Sequence, residues 1–465
     1  MYKWSPQQIC NATNAHMLSN ISDSSLFNNI SIDSRIIHTE DLFVALIGDN
    51  HDGHDYIQNV LYKNVKGIII QSDRTGLPIL SKIKNQIYIF VVKNTTTAIG
   101  DLAAFKRKKS SAKMVGITGT NGKTSTKEMT ASIIQKRYCT LKTLGNLNNH
   151  IGVPMTLLKL KKKHQWGIIE LGMNHVGEIK YLSKILKPDI GLITNIGPGH
   201  LEGVQNLEGV AVAKRELIES LSSNGRAILN ADDPMLPKIK EKLNSPYITF
   251  GINKRATISA SNIKQKRNTS FVLNLPETSI EITIKTPGKF MVYNALAAAS
   301  VSNLLQIPEE TIKKGLEEFE PVKGRLVVIS ITNKRHIIDD TYNANPVSMK
   351  VALETLASLK GSNRSVFVVG DMFELGKNSF ELHKNIGKFA AYSNVDLLLA
   401  TGSYAEAIRE GAIEGGISKN RIVIGNEESI KDFLLNNSQS GDWFLIKGSR
   451  AMGMEKYVNF LKLTD

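Results

Sequence analysis

At 465 residues, with 42% hydrophobic and 22% charged residues, the chain is too long for one ordinary domain and reads as two to four globular ones. Its two cysteines, Cys10 and Cys139, exclude a disulfide framework and a cysteine-rich zinc site. The 58 Lys and Arg against 43 Asp and Glu leave a net charge of +15, which suits anionic partners or reflects a lysine-rich background. The lysines are spread along the chain, and the runs at 106–109 and 161–163 fall at expected linkers or loops, so the background reading accounts for most of them. No apolar run approaches the roughly 18 residues of a membrane helix, so no membrane insertion is expected. The start, Met1-Tyr2-Lys3-Trp4-Ser5-Pro6, lacks the pattern of a signal peptide, which points to the cytoplasm.

In chain order, residues 1–108 hold short strand-like runs at 42–46, 67–70 and 87–92, separated by turns such as Gly48-Asp49-Asn50. They predict a small α/β domain. Residues 109–320 form the next expected domain. Apolar strands at 114–117, 166–171, 190–194, 226–230 and 247–250 alternate with amphipathic segments such as 210–221, the pattern of a mostly parallel sheet covered on both faces. Residues 256–286 predict an antiparallel flap or edge, and a helix is expected over 293–305. From 321 to 465 the alternation restarts, with strands at 327–331, 366–369, 397–400, 421–424 and 443–446, as in a Rossmann-like domain. The fold class is therefore α/β, in three domains.

The sharpest local signal is Met114-Val115-Gly116-Ile117-Thr118-Gly119-Thr120-Asn121-Gly122-Lys123-Thr124-Ser125. An apolar strand runs through a glycine-rich turn into a helical pattern. Such a turn lets backbone N–H groups curl around phosphates at a helix N-terminus, with Lys123 reaching the terminal phosphates and the Thr124 hydroxyl available to Mg²⁺. The spacing is Gly-x2-Gly-x2-Gly-Lys-Thr; the strict phosphate-loop pattern would put a glycine at Ile117. Glu170 ends the strand at 166–171, and His200 follows the strand at 190–194. Ligands of open α/β sheets bind outside the carboxyl ends of the strands. There a carboxylate and an imidazole could hold Mg²⁺ against a phosphate. Each alone is more often a surface or turn residue; their common location favours the ligand reading. Lys214, within 210–221, reads on its own as an ordinary helix lysine.

Taken together, Gly119–Thr124, Glu170, Gly199-His200 and Ala213-Lys214 resemble the ATP site of the Mur ligase family, which shares its fold with folylpolyglutamate synthases. The resemblance spans nearly the whole chain. It implies ATP contacts from Thr118, Gly119, Thr120, Asn121, Gly122, Lys123 and Thr124. Asn294 would lie near the adenine, and Arg325 and Asp340 would come from the last domain on closure. It implies two Mg²⁺ ions held by Thr124, Glu170, His200 and a CO₂-derived carbamate on Lys214, with Lys123, Glu170, His200 and Lys214 as the catalytic set. The pattern Asp33-Ser34-Arg35 implies a UDP-sugar domain over 1–108, with Ser34 and Arg35 as contacts. The stretches 146–154, 340–346, 369–376 and 447–450 are similar to the branch that adds D-alanyl-D-alanine to UDP-N-acetylmuramoyl-tripeptide, with Asn148, Asn149, Asn343 and Asn345 as substrate contacts. The sister branch that adds the third amino acid typically carries Asp-Asn-Pro-Arg, which is absent here. The Thr120-Asn121 pair is the one departure from the branch, at a position the family varies.

Tyr342-Asn343-Ala344-Asn345-Pro346 also reads as a turn and cap before a helix at 347–359, with Asn345 at the cap and Pro346 first in the helix. Capping leaves room for ligand contact. The implied chemistry is an acyl phosphate made from ATP and then captured by an amine, in a monomer. Rival readings are the sister ligase, an ATPase or switch protein without ligase chemistry, and an ATPase acting on nucleic acid. The last is disfavoured by 6% aromatics and no nucleic-acid motif.

Overall fold

The computed structural model describes residues 2–19, 21, 26–199 and 201–464. They gather into two compact units, Met1–Gly116 with Tyr138–Leu171 and Lys180–Pro188, and Ile117–Arg137 with Gly172–Ile179 and Asp189–Asp465. Three sheet-containing regions follow one another along the chain.

In the first unit, β1 (His16–Met17), β2 (Ile30–Ser31), β3 (Leu42–Val44), β4 (Gly67–Gln71) and β5 (Tyr88–Val92) form a sheet of order β1-β5-β4-β3-β2. Only β1 runs antiparallel. Phe43, Ile68, Ile70 and Ile89 on one face pack against Ile57, Val60, Leu80 and Ile83 from short helices. Such burial removes apolar area from water at about 25 cal/mol per Å². The expected linker at 106–109 is instead the end of the helix Thr95–Lys108, whose last turn carries Lys106, Arg107 and Lys108. Cations there meet the negative end of the helix dipole, and Arg107 Nε donates to the Leu186 carbonyl at 2.7 Å.

The strand β6 (Lys113–Thr118) passes from the first unit to the second between Gly116 and Ile117. In the first unit β7 (Thr140–Lys142) runs parallel to β8 (Trp166–Glu170). In the second, β9 (Ile190–Ile193), β10 (Arg226–Asn230), β11 (Tyr247–Gly251) and β12 (Ile258–Gln265) are successive parallel neighbours. The antiparallel edge expected at 256–286 is present as β12, β13 (Thr269–Asn274) and β14 (Ser279–Ile284). The helix expected from 293 begins earlier, as Lys289–Leu304, after Gly288 at φ +95°. This helix, which buries Ala295, Ala298 and Ala299, packs against the helix Lys123–Ile134.

The last sheet holds β15 (Val327–Ser330), β16 (His336–Asp340), β17 (Ser365–Val369), β18 (Leu397–Ala400), β19 (Ile422–Ile424) and β20 (Trp443–Lys447), in the order β15-β16-β20-β17-β18-β19. All neighbours are parallel except β15 with β16. The sequence reading had no strand at β16. Its apolar part is only Ile337-Ile338 before Asp339-Asp340, yet it sits inside the sheet. The helices Pro346–Lys360, Ser379–Tyr392 and Ala405–Glu414 cover one face through Met349, Leu353, Ile386 and Ile408. Glu427–Asn437 and Glu455–Leu463 cover the other through Ile430, Leu434, Tyr457 and Val458. Among the described residues no helix is long and apolar enough to cross a membrane.

Candidate functional site

β6 ends at Thr118, and Gly119-Thr120-Asn121-Gly122 turns the chain into the helix Lys123–Ile134. Gly119 (φ +152°) and Gly122 (φ +79°) hold backbone shapes that side chains resist. A Cβ on Gly119 would stand 1.8 Å from Thr194 Oγ1, and one on Gly122 2.3 Å from Asn294 Oδ1. The loop is tied to the segment after β9. The Thr120 N–H donates to the Asn195 carbonyl and the Asn121 N–H to Asn195 Oδ1, both at 3.0 Å. The Thr194 hydroxyl and the Asn195 side-chain amide donate to the Asn121 carbonyl at 2.6 and 3.0 Å. The Thr120 hydroxyl donates to the Gly197 carbonyl at 3.0 Å. The first N–H groups of a helix have no partner within it, so a rigid turn that presents them with the dipole's positive end suits an anion. Lys123 Nζ donates to the carbonyls of Gly119 and Thr120 at 2.7 and 3.2 Å.

Lys214 lies on the helix Leu207–Glu219, which Asn206 caps at the Gly209 N–H. It is 1% exposed. Burial, and then the positive charge of Lys123, hold its amine well below the usual lysine range. Burial of this kind disfavours the charged ammonium, a property that the sequence alone does not show.

Asn294, on the helix Lys289–Leu304, accepts from the Thr126 hydroxyl at 3.3 Å. It lines a cavity of about 180 Å³ with Thr194, Asn195, Asn230, Asp233, Pro234, Phe290 and Tyr293, at the carboxyl ends of β9 and β10. Two aspartates beside it were missed by sequence reading. Burial pushes Asp232 up, but the N–H groups of Asn253, Ile252 and Lys254 and the Tyr293 hydroxyl outweigh it, and the carboxyl is lowered overall. Asp233 is raised by burial, against N–H bonds from Ile196 and Met235.

From the last sheet, Arg325 Nη2 donates to Thr124 Oγ1 at 3.2 Å, and its guanidinium lies over the Tyr342 ring at 4.0 Å. Asp340 accepts from the Leu326 N–H at 3.1 Å and from Lys447, which also donates to the Asn343 carbonyl at 2.9 Å. Burial lowers the Lys447 amine, Asp340 opposes that shift and Arg325 adds to it. Asn343 Oδ1 accepts from the Ala344 N–H at 2.9 Å. Asn345 caps the helix Pro346–Lys360 at the Ser348 N–H, and its Nδ2 donates to Asn121 Oδ1 at 2.7 Å. Thus the cap residue also touches the phosphate loop.

In the first unit, Glu170 ends β8 buried, and its Oε1 accepts from Asn148 Nδ2 at 2.8 Å. Asn149 Oδ1 accepts from the Gly152 N–H at 2.8 Å, at the start of the helix Gly152–Leu157. Ser34 and Arg35 sit in a separate turn. There the Arg35 side chain forks onto Asp33 at 2.9 and 2.8 Å and, with its backbone N–H, pulls that carboxyl down to about 2. His200 lies outside the described residues.

Two family descriptions match this chain: the Mur ligase middle domain over residues 117–302, and the Mur ligase, glutamate ligase domain, over residues 324–450. The chain is 38% identical to the UDP-N-acetylmuramoyl-tripeptide–D-alanyl-D-alanine ligase of Buchnera aphidicola subsp. Baizongia pistaciae, over 93% of this chain and 92% of that protein. It is 36% identical to the Escherichia coli K12 protein of that name, over 93% of each. Among solved structures it is similar to MurF from Acinetobacter baumannii, with a TM-score of 0.91 and 33% identity, covering 100% of this chain and 99% of that one. It is also similar to MurF ligase from Thermotoga maritima in complex with ADP, with a TM-score of 0.82 and 26% identity, covering 94% and 97%.

Proposed function

Because the chain belongs to the Mur ligase family, we propose that it is the ATP-dependent ligase joining D-alanyl-D-alanine to UDP-N-acetylmuramoyl-tripeptide. The observation that carries this reading is likeness over nearly the full length to ligases of that name. In this reading residues 1–108 take the UDP-sugar, 109–320 the ATP, and 321–465 the dipeptide. The enzyme works as a monomer in the cytoplasm, at a step of peptidoglycan synthesis.

The reaction has two steps. An oxygen of the tripeptide's carboxylate attacks the γ-phosphorus, forming an acyl phosphate as ADP leaves. The dipeptide's amine attacks the acyl carbon, an amide bond forms, and phosphate and a proton leave. Catalysis of this kind rests on positioning and on charge neutralisation. The Gly119–Thr124 turn supplies N–H groups to the phosphates, and Lys123 exchanges its loop carbonyls for γ-phosphate oxygens. The cavity beside Asn294 suits a purine, since its lining combines polar side chains with the apolar Ile196, Pro234, Phe250 and Phe290.

The donors suit Mg²⁺, since the Thr124 hydroxyl and the Glu170 carboxylate are hard oxygen ligands. The ion, when bound, neutralises phosphate charge. The buried amine of Lys214 suits carbamate formation: the neutral nitrogen bonds to CO₂ carbon and loses a proton, leaving one negative charge for a metal. His200 is kept as a further contact at this site.

The test is phosphate release by the purified protein with ATP, Mg²⁺ and the UDP-N-acetylmuramoyl-tripeptide, with and without D-alanyl-D-alanine. Turnover that needs both acceptors is the expected result. Turnover with the dipeptide precursor and a free amino acid would move the chain to the sister branch. ATP binding without turnover by any pair would sink the ligase reading.

A further inference from the structure

The winding of the last sheet marks one place on its carboxyl edge. The helices after β16, β17 and β18 cover one face, whereas those after β19 and β20 cover the other. β20 lies between β16 and β17. The chain therefore leaves β20 toward one face and its two neighbours toward the opposite face. In open α/β sheets a crevice opens where that divergence occurs, and ligands bind in it.

Three loops line this edge. Tyr342 follows β16, Phe373 follows β17, and Ser449-Arg450 follow β20. They are held together. The Phe373 N–H donates to Ser449 Oγ at 2.8 Å, and the Ser449 N–H to the Asp371 carbonyl at 2.9 Å. The Arg450 guanidinium lies over the Tyr342 ring at 5.9 Å. Gly370 and Gly448 let the loop backbones meet, with a Cβ on Gly448 only 3.3 Å from Gly370 Cα.

The cations at this edge differ in what they can still bind. Lys447 is fully buried and engaged with Asp340 and the Asn343 carbonyl. Arg325 is occupied with Thr124 and the Tyr342 ring. The Arg450 side chain is 58% exposed, and one nitrogen, Nη2, meets a carboxylate oxygen of Glu455 at 2.9 Å. A guanidinium has five N–H donors in a fork that matches a carboxylate. Phe373, 42% exposed, supplies apolar surface on the loop whose N–H bonds to Ser449, the residue before Arg450. An exposed cation and an aromatic surface on joined loops, in the crevice of the sheet, fit a short peptide with small apolar side chains and a free C-terminal carboxylate.

We propose that Arg450 anchors the C-terminal carboxylate of the incoming dipeptide, and that Phe373 packs against its methyl groups. This rests on the ligase reading above. The anchor selects a dipeptide that ends in a free acid and leaves its amine toward the acyl carbon.

The experiment compares D-alanyl-D-alanine with D-alanyl-D-alaninamide, which lacks the negative charge, in wild type, Arg450→Gln and Arg450→Lys. Wild type is expected to prefer the acid by a factor on the order of ten or more in kcat/KM, the worth of a charge-assisted fork. Arg450→Gln should raise KM for the acid by a similar factor, bring acid and amide level, and leave KM for ATP unchanged. Arg450→Lys should recover part of the preference. A wild type that uses both peptides equally, or an Arg450→Gln enzyme that keeps the wild-type preference, overturns the anchor while the ligase reading stands. A wild type that turns over neither peptide sinks the ligase reading itself.

Discussion

At Lys214 burial changes the charge preference of an ordinary residue type. A solvated lysine is protonated at neutral pH, whereas the buried Lys214 amine, beside the charge of Lys123, is held well below its usual range. Protein equilibrated with ¹³C-bicarbonate is expected to show one carbamate carbonyl resonance that Lys214→Ala removes. The signal should strengthen as pH rises through the lowered pKa, because only the neutral amine reacts. In CO₂-free buffer the folded amine binds fewer protons than the unfolded one. Its contribution to stability is therefore gained as pH rises toward 10.5 and lost as pH falls; a melting series across that window reads the sign. Gly119 gives a second test at this scale. Alanine there meets Thr194 Oγ1 at 1.8 Å in a strained backbone region, so Gly119→Ala should abolish ATP binding in a titration while far-UV circular dichroism is preserved.

Among the elements, the helix Pro346–Lys360 joins local and distant roles in one residue. Asn345 caps it and also meets Asn121 across 224 positions of sequence. Serine at 345 keeps the cap but is too short to reach Asn121, whereas alanine loses both. Asn345→Ser is expected to match Asn121→Ala in its effect on KM for ATP. Asn345→Ala should melt lower than either, by a cap worth about 1 kcal/mol. Equal melting temperatures for the two Asn345 variants would show the cap to be idle. The elements also show what the sequence made legible. β8, β17 and β20 are buried throughout and read as continuous apolar runs. The three-residue Thr140–Lys142 strand and the Asp-ended β16 carry too little local signal and are fixed by their neighbours. The Gly119–Thr124 turn was legible because strand, glycines and Lys-Thr are contiguous. Asn195, Asp232 and Asp233 were not, because their partners are set by the fold: Asn195 meets a loop 74 positions away in sequence.

For the molecule as a whole, ligands that bind the folded state alone raise its stability by mass action. At a hundredfold excess over Kd, ADP or ATP should add about 2.7 kcal/mol, seen as a rise in melting temperature that Lys123→Ala cancels. The alternation of strands and helices was legible along most of the chain, apart from short or polar strands such as Thr140–Lys142 and β16. How compactly the chain groups depends on which distant segments meet, and that is set by the fold. The first unit is assembled from three separate stretches of chain, and β6 runs unbroken from it into the second. Such a protein is not a string of cassettes. A relative's first unit could be transplanted only as three pieces with five junctions, one of them in the middle of a buried strand. A single crossover that carries the whole unit also carries the enclosed segment 117–137, so this part of the molecule, about a third of the chain, is bound to be inherited together with the glycine-rich turn it leads into.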